Sequence, residues 1–146
     1  MLPEPERTTY ISDSLFDSGW FTKITNGVIM VAAGVLMYFE APRIRTFLSS
    51  LADTFPNAEI VFDTQSRFRK FIGDWGLRRI GMQGSKTKWA LKHAGAITRW
   101  NNRIVVLDQF PVFRNIPRDS AWGTSTKRWM NFVDRYKMRN IVHLRV

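Results

Sequence analysis

Small and polar residues follow the segments of this chain that are predicted to form parallel strands. They are Ser12–Leu15, Ala33–Gly34 and Asp63–Thr64. Ligands of open α/β sheets lie beyond the carboxyl ends of the strands, and a glycine such as Gly34 lets a ligand approach the backbone closely. Two structural roles compete with this hypothesis: Gly34 could simply form a turn, and Asp63 could cap the helix that follows it.

Several common catalytic motifs are absent. The sequence contains no GxGxxG, GxxxxGK[ST] or GxSxG, and the glycines at 73, 76, 81 and 84 are not spaced as in a phosphate-binding loop. The two histidines, His93 and His143, have no spacing suited to a metal, which favours structural or exposed roles and predicts no metal site. There is no cysteine, so thiolate nucleophiles and disulfides are excluded.

The net charge of +10 is unevenly distributed. Residues 1–64 carry four basic and eight acidic side chains, residues 65–100 carry nine and one, and residues 101–146 carry nine and three. A basic half of this kind could bind nucleic acid or an anionic substrate, could be covered by an acidic partner, or could be a solvated surface.

Aromatic residues are interleaved with basic ones across 67–100, as is typical of nucleic-acid-binding proteins. Four of the apolar residues there recur at helical spacing, however, which favours a helix face packed in the core over a platform for stacking bases. These four are Phe68, Phe71, Ile72 and Trp75.

The elements that position the candidate residues are organised around Asn26–Asp63. Gly27–Ala33 and Ala58–Asp63 are apolar runs, and Ile44–Phe55 between them has apolar residues on one helical face. A strand that is apolar throughout needs cover on both faces, so the pattern predicts a βαβ unit in which Gly27–Ala33 is an interior parallel strand beside 58–63.

The remaining segments predict further short elements of an α/β protein. They are a strand at Thr8–Ile11, a short helix or turn at Leu15–Ile24, a helix after Thr64–Ser66, a helix bearing Leu91, Ala94, Ile97 and Trp100, a strand at Arg103–Phe110, a last helix with Trp129, Phe132, Val133 and Tyr136 on one face, and an edge or antiparallel strand at Asn140–Val146.

The length of 146 residues and the hydrophobic content of 45% predict a single domain that spans residues 1–146. The longest apolar stretch, Val28–Phe39, is too short to cross a bilayer and has no basic segment before it. The sequence therefore predicts a soluble cytoplasmic protein without a membrane partner.

Two segments of the central unit resemble a known family. Ala32–Phe39 and Phe55–Asp63 are similar to the signature "AEGVLMYF … FPGAELVFD" of class I S-adenosylmethionine-dependent methyltransferases, in the branch of the tetracenomycin polyketide O-methyltransferases and leucine carboxyl methyltransferases. Shorter matches lie at Leu2–Arg7, Tyr10–Trp20, Lys88–Trp89 and Asn140–Arg145.

The resemblance implies the C-terminal portion of that family's domain. The expected fold is a partial Rossmann-like methyltransferase fold with a mixed, mostly parallel sheet flanked by helices. The family's first strands, which carry the glycine-rich cofactor loop, would lie before Met1. A core strand without these neighbours should expose the apolar edge of residues 28–33, which predicts a homo-oligomer or pairing with a complementing N-terminal fragment.

The resemblance also implies the cofactor S-adenosylmethionine and the residues that would lie near it. Ser14 and Leu15 occupy the place of a pair that lies against the adenine. Ala33 replaces the glutamate that ends the family's fourth strand and contacts the cofactor, and Gly34 follows it directly.

Two further residues are expected on the substrate side. Tyr38 stands at the family's tyrosine near the substrate pocket, and Trp89 lies on the side of the lid. The position of Trp89 beside Lys86 and Lys88 independently predicts a surface or a pocket rim.

The implied function is methyl transfer to a carboxyl or hydroxyl group of a small-molecule substrate, by a truncated chain that depends on the missing strands for activity. Nucleic acid is not the partner expected of such an enzyme. The alternatives are a non-catalytic basic module that binds an anionic partner, either nucleic acid or an acidic protein, and a decayed fragment without a function.

Overall fold

One mixed sheet forms the centre of the fold in the computed structural model, which describes residues 8–24, 27–71 and 86–146. Within those residues the sheet has four strands in the order β1-β2-β4-β3. The strands are β1 (Ile29–Ala32), β2 (Glu59–Gln65), β3 (Val105–Pro111) and β4 (Arg139–Arg145).

The predicted mixed sheet is confirmed. β1 pairs with β2 in parallel, and β4 pairs antiparallel with both β2 and β3. Three of the four strands thus run in one direction, but only one of the three pairings is parallel because β4 is inserted between β2 and β3. The prediction of a mostly parallel sheet therefore holds for strand direction and is wrong for strand pairing.

The central βαβ unit is also confirmed. Helix α1 (Ala41–Thr54) connects β1 to β2 and buries one apolar face, which consists of Ile44, Phe47, Leu48, Leu51 and Ala52. A turn follows the helix, in which the Ala58 amide donates to the Phe55 carbonyl at 3.0 Å and Asn57 adopts a left-handed conformation (φ 68°). Pro56 and Asn57 suit the second and third positions of such a turn.

The prediction that residues 27–33 form an interior strand is wrong for the described residues, because β1 lies at the edge of their sheet. Ala32 is buried, whereas Ile29 and Val31 are 76% and 71% exposed on the other face. An apolar edge strand of this kind is a site where another strand could pair. The expected apolar edge is therefore present, while self-association stays a prediction.

The main core lies on the sheet face that α1 covers. Ile60, Phe62, Val142 and Leu144 contribute side chains from the two inner strands, β2 and β4. Segments without regular strand or α-helix complete this core, including the 3₁₀ turns Ser18–Lys23, Leu36–Tyr38 and Ala94–Arg99.

A further prediction about a single strand is wrong. Residues Thr8–Ile11 form no strand, and Tyr10 is exposed.

The prediction of an edge or antiparallel strand at Asn140–Val146 is confirmed in its second alternative. Strand β4 is antiparallel to both neighbours, and it lies in the interior of the described sheet because β3 pairs along its second edge.

The aromatic helix faces are less buried than their spacing predicts. Phe68 and Phe71 are exposed in the helical residues 67–71. Helix α2 (Thr124–Arg135) buries Met130 and Val133 and leaves its aromatic residues exposed, as is Tyr136 just beyond it. Periodicity identifies residues that share a face but not whether a neighbour covers that face.

The helical face predicted to contain Phe68 and Phe71 also includes Ile72 and Trp75. These last two residues lie outside the described residues. Within the described part of the chain, no helix is both long enough and apolar enough to cross a membrane.

Candidate functional site

The carboxyl ends of β2 and β3 lie at the same edge of the sheet, with the first residues of β4 between them. Gln65 at the end of β2 pairs with Arg139, and Pro111 at the end of β3 pairs with Asn140. Open α/β sheets bind ligands in crevices outside the carboxyl ends of their strands. This edge is therefore the expected place for a site.

The segment 91–94 crosses this edge and is attached to β2 at its first residue. The Leu91 amide donates to the Gln65 carbonyl at 3.1 Å and to the Thr64 hydroxyl at 3.2 Å. Leu91 and Thr64 are both buried, so water does not compete for these bonds. The start of the segment is fixed as a result.

The other end of the segment is attached to β3 by one side chain. The Gln109 amide oxygen accepts from the Ala94 amide at 2.8 Å, and the Gln109 amide nitrogen donates to the Lys92 carbonyl at 3.0 Å. The backbone at Lys92 and His93 is consequently fixed by bonds to two strands, and both residues are exposed.

A pocket of about 800 Å³ lies beside this segment. Its apolar lining includes Phe68, Leu91 and Tyr136, and its cations come from several parts of the chain. The lining residues are Ser66, Arg67, Phe68, Ala90, Leu91, Lys92, His93, Ala96, Arg135, Tyr136 and Lys137.

A second pocket of about 350 Å³ adjoins the first through three shared residues. Its lining residues are Lys92, His93, Gln109, Pro111, Arg114, Lys137 and Asn140. We call the two pockets together the basic groove. Among the described residues, no carboxylate lines either pocket. A concave surface lined by charges of one sign concentrates counter-ions, so the basic groove favours an anionic ligand.

The cations of the basic groove form no ion pair with any described carboxylate. This holds for Arg67, Lys92, Arg114, Arg135 and Lys137, whereas Arg118 and Arg139 are paired with Asp134 and Asp63 respectively. Within the described part of the chain, no carboxylate therefore neutralises their positive charge.

Lys137 lines both pockets and has an unusual backbone conformation. It follows α2 with φ 47°, and its amide donates to the Asp134 carbonyl while the Met138 amide donates to the Val133 carbonyl, both at 3.0 Å. This is the Schellman pattern of a helix end, in which the left-handed position is usually glycine because side chains are disfavoured there.

Asp63 connects strand ends. Its buried carboxylate accepts from the Gly34 amide at 2.5 Å and from the Arg139 guanidinium at 2.6 Å. Gly34 is left-handed there (φ 68°), so its flexibility serves a turn. The cap of the following helix is instead Ser66, whose hydroxyl accepts from the Arg69 amide at 3.2 Å.

The four residues expected near the cofactor line neither the basic groove nor a further pocket of about 410 Å³ beside Phe47. Ser14 is exposed and its hydroxyl accepts from the Phe16 amide, while the Leu15 carbonyl accepts from the Trp20 indole at 3.1 Å. Ala33 is exposed directly after β1, beside Gly34.

Of the two residues expected on the substrate side, only Tyr38 is exposed. The predicted rim position of Trp89 is wrong, because its side chain is 6% exposed and lies in the core. Its ring centroid is 5.9 Å from that of Phe62 and 6.1 Å from that of Trp100. The apolar area of the indole outweighs the influence of its lysine neighbours.

Comparisons with known proteins do not assign the chain to a family. No family model matches it, and a search of curated proteins finds no match. The basic groove must therefore be interpreted from its own residues, which sequence reasoning did not single out. The only signal for them was the excess of positive charge after residue 64.

A further charged cluster lies on the sheet face opposite α1 and predicts a pH dependence of stability. The Glu59 carboxylate contacts His143 at 2.8 Å and Arg145 at 3.4 Å. The hydrogen bond with His143, together with Arg145, holds the pKa of Glu59 below its ordinary value of 4.5. A carboxyl group whose pKa is lower in the folded state stabilises the fold above its unfolded pKa, and this stabilisation is lost as the pH falls through the folded pKa.

We therefore expect Glu59→Gln to be less stable than the wild type at pH 6 and the difference to shrink below about pH 4.5. Thermal melts of both proteins between pH 3 and pH 7 measure this. A difference in melting temperature that stays constant over the whole range would contradict the linkage.

Proposed function

We propose that this chain is the C-terminal part of an S-adenosylmethionine-dependent O-methyltransferase domain that acts on a carboxyl or hydroxyl group. The proposal is carried by the spatial relation of the two signature segments. β1 and β2 are adjacent and parallel with Ala32 opposite Phe62, and Asp63 accepts a hydrogen bond from the Gly34 amide. Both segments thus meet at the edge where open α/β sheets bind ligands.

The residues present do not form a complete site for S-adenosylmethionine. Ala33 has no group that can accept a hydrogen bond from the cofactor in place of the family's glutamate, and the 146 residues contain no glycine-rich loop. Methyl transfer depends strongly on the relative positions of donor and acceptor. We therefore assign this chain the acceptor side of the domain and assign the donor side to a complementing fragment that pairs with the open edge of β1.

Calorimetry with S-adenosylmethionine tests this proposal, with the chain alone and mixed with any neighbouring encoded fragment that carries a glycine-rich strand and loop. We expect heat of binding and methylation of a carboxylate or hydroxyl acceptor only in the mixture. Ala33→Glu should bind the cofactor about tenfold more tightly in the mixture than the wild type, because it restores a charged hydrogen-bond acceptor. Ala33→Gln is the matched control, which adds a hydrogen-bond acceptor without the charge. The absence of binding heat in every mixture would contradict the proposal.

A second candidate function is a non-catalytic module that binds an anionic partner. The observation in its favour is the basic groove, whose five arginine and lysine side chains have no described carboxylate as a partner. Retention on heparin that decreases steeply with salt would support it, and retention that does not respond to salt would contradict it.

A further inference from the structure

The two pockets of the basic groove differ in character. The larger one presents Phe68, Leu91 and Tyr136 together with two alanines, and its volume of about 800 Å³ lies in the range of small-molecule sites. The larger pocket also carries four of the five cations of the basic groove. The smaller one is lined by Lys92, Arg114 and Lys137. Phe68 and Tyr136 thus line only the larger pocket, whereas cations line both.

The polar amides of the smaller pocket are already engaged. Both amide atoms of Gln109 bond to the segment 91–94, and the Asn140 amide nitrogen donates to the Lys137 carbonyl at 3.1 Å. These side chains position the cations, which leaves Lys92, Arg114 and Lys137, together with the His93 ring, as the described side chains able to donate to a ligand. Arginine offers a planar pair of donors and lysine a compact charge, a combination suited to phosphate or carboxylate oxygens.

Lys137 contributes to both pockets from the end of α2. It occupies the left-handed position where a glycine is more usual, and it is a lining residue of the larger and the smaller pocket. The helix end accounts for this backbone conformation, so a glycine can replace the lysine without straining the chain.

From these observations we infer that the basic groove binds a small amphiphilic anion. Its apolar, preferably aromatic body occupies the larger pocket beside Phe68 and Tyr136, and its phosphate or carboxylate head lies among Lys92, Arg114 and Lys137. The inference requires neither S-adenosylmethionine nor a complementing fragment, so it can fail or succeed independently of the proposed methyl transfer.

Titration calorimetry with four probes tests the division into body and head. The probes are 1-naphthyl phosphate, 1-naphthoate, 1-naphthol and inorganic phosphate. We expect one of the two naphthyl anions to bind at least about tenfold more tightly than 1-naphthol and inorganic phosphate, since it alone fills both pockets with the favoured head group. The tighter of the two identifies the head as phosphate or carboxylate, and equally weak binding of all four probes would overturn the inference.

The variant Lys137→Gly distinguishes an effect on ligand binding from an effect on folding, because the two are expected to change in opposite directions. Glycine relieves the left-handed backbone, so the melting temperature should rise by a few degrees. The same change removes a charge from both pockets, and the better naphthyl anion should bind about tenfold more weakly. Unchanged binding by this variant would overturn the assignment of Lys137 to the head group.

Two matched variants serve as controls for this change. Asn57→Gly alters the other left-handed non-glycine residue among those described, which lies outside the basic groove, and should leave binding unchanged. Arg45→Ala removes an exposed cation from α1 and should also leave binding unchanged, whereas Arg114→Ala should weaken it about tenfold. Equal losses of affinity in Arg45→Ala and Arg114→Ala would show that binding depends only on the net charge of the protein, which would overturn the inferred site.

A macromolecular ligand is distinguished by one further probe. A twelve-nucleotide thymidine strand should bind more weakly than the better naphthyl anion and should not displace it from the larger pocket. Tighter binding of the strand, with displacement of the naphthyl anion, would overturn the small-molecule inference in favour of single-stranded nucleic acid.

Discussion

Replacement of Asp63 by alanine is expected to lower the free energy of unfolding by about 2 to 4 kcal/mol. The buried carboxylate accepts hydrogen bonds from the Gly34 amide after β1 and from Arg139 at the start of β4. Alanine would leave the amide without this acceptor and the guanidinium without its counter-ion. Because Arg139 remains 43% exposed and can be solvated, the loss should not reach the largest values known for buried pairs.

Chemical denaturation in urea measures this effect, and two further variants separate its parts. Asp63→Asn keeps an acceptor for the Gly34 amide and should lose less stability than Asp63→Ala. Asp53→Ala breaks a surface ion pair with Arg103 at 3.3 Å and should lose less than about 1 kcal/mol. Equal losses in Asp53→Ala and Asp63→Ala would show that Asp63 does not connect the strand ends.

The contact made by Asp63 also shows why its role was hard to predict from sequence. An aspartate after an apolar strand can contact a ligand, cap a helix or bond to a neighbouring strand, and these roles share one local pattern. The structure decides between them through Arg139, which is 76 positions away in the chain. Such a distant partner has no local signature.

The central unit was predictable because its pattern is local. Two apolar runs and a one-sided helix between them leave few alternatives to a βαβ unit, and β1, α1 and β2 form where the pattern predicts them. The position of β4 was not predictable in the same way. Alternating residues indicate one covered face, but an edge strand and an interior antiparallel strand can both alternate.

The basic groove illustrates the same limit. Its cations come from residue 67, from the segment 91–94, from Arg114 after β3 and from the end of α2. The excess of positive charge was visible in the sequence, but its convergence depends on the bonds of Leu91 and Gln109 to two different strands. Composition therefore predicted the sign of the charge in the groove and not the place where the cations converge.

Trp89→Ala is expected to lower the free energy of unfolding by about 3 to 5 kcal/mol. The indole is buried between Phe62 and Trp100, and its backbone amide donates to the Met37 carbonyl at 3.1 Å. Alanine would leave a large cavity on the covered face of the sheet. Thermal and urea unfolding of purified variants measure the loss, and Trp89→Phe should lose clearly less because a smaller cavity remains.

Trp129→Ala is the matched control, since Trp129 is 54% exposed on α2 and its loss should change the free energy of unfolding by less than about 1 kcal/mol. The comparison also decides between the two roles considered for Trp89. Truncation of a residue on a substrate lid would alter ligand binding and leave stability nearly unchanged. Truncation of a core residue would instead destabilise the sheet that supports the basic groove. If Trp89→Ala were about as stable as Trp129→Ala, the result would support the predicted rim position of Trp89 and contradict its place in the core.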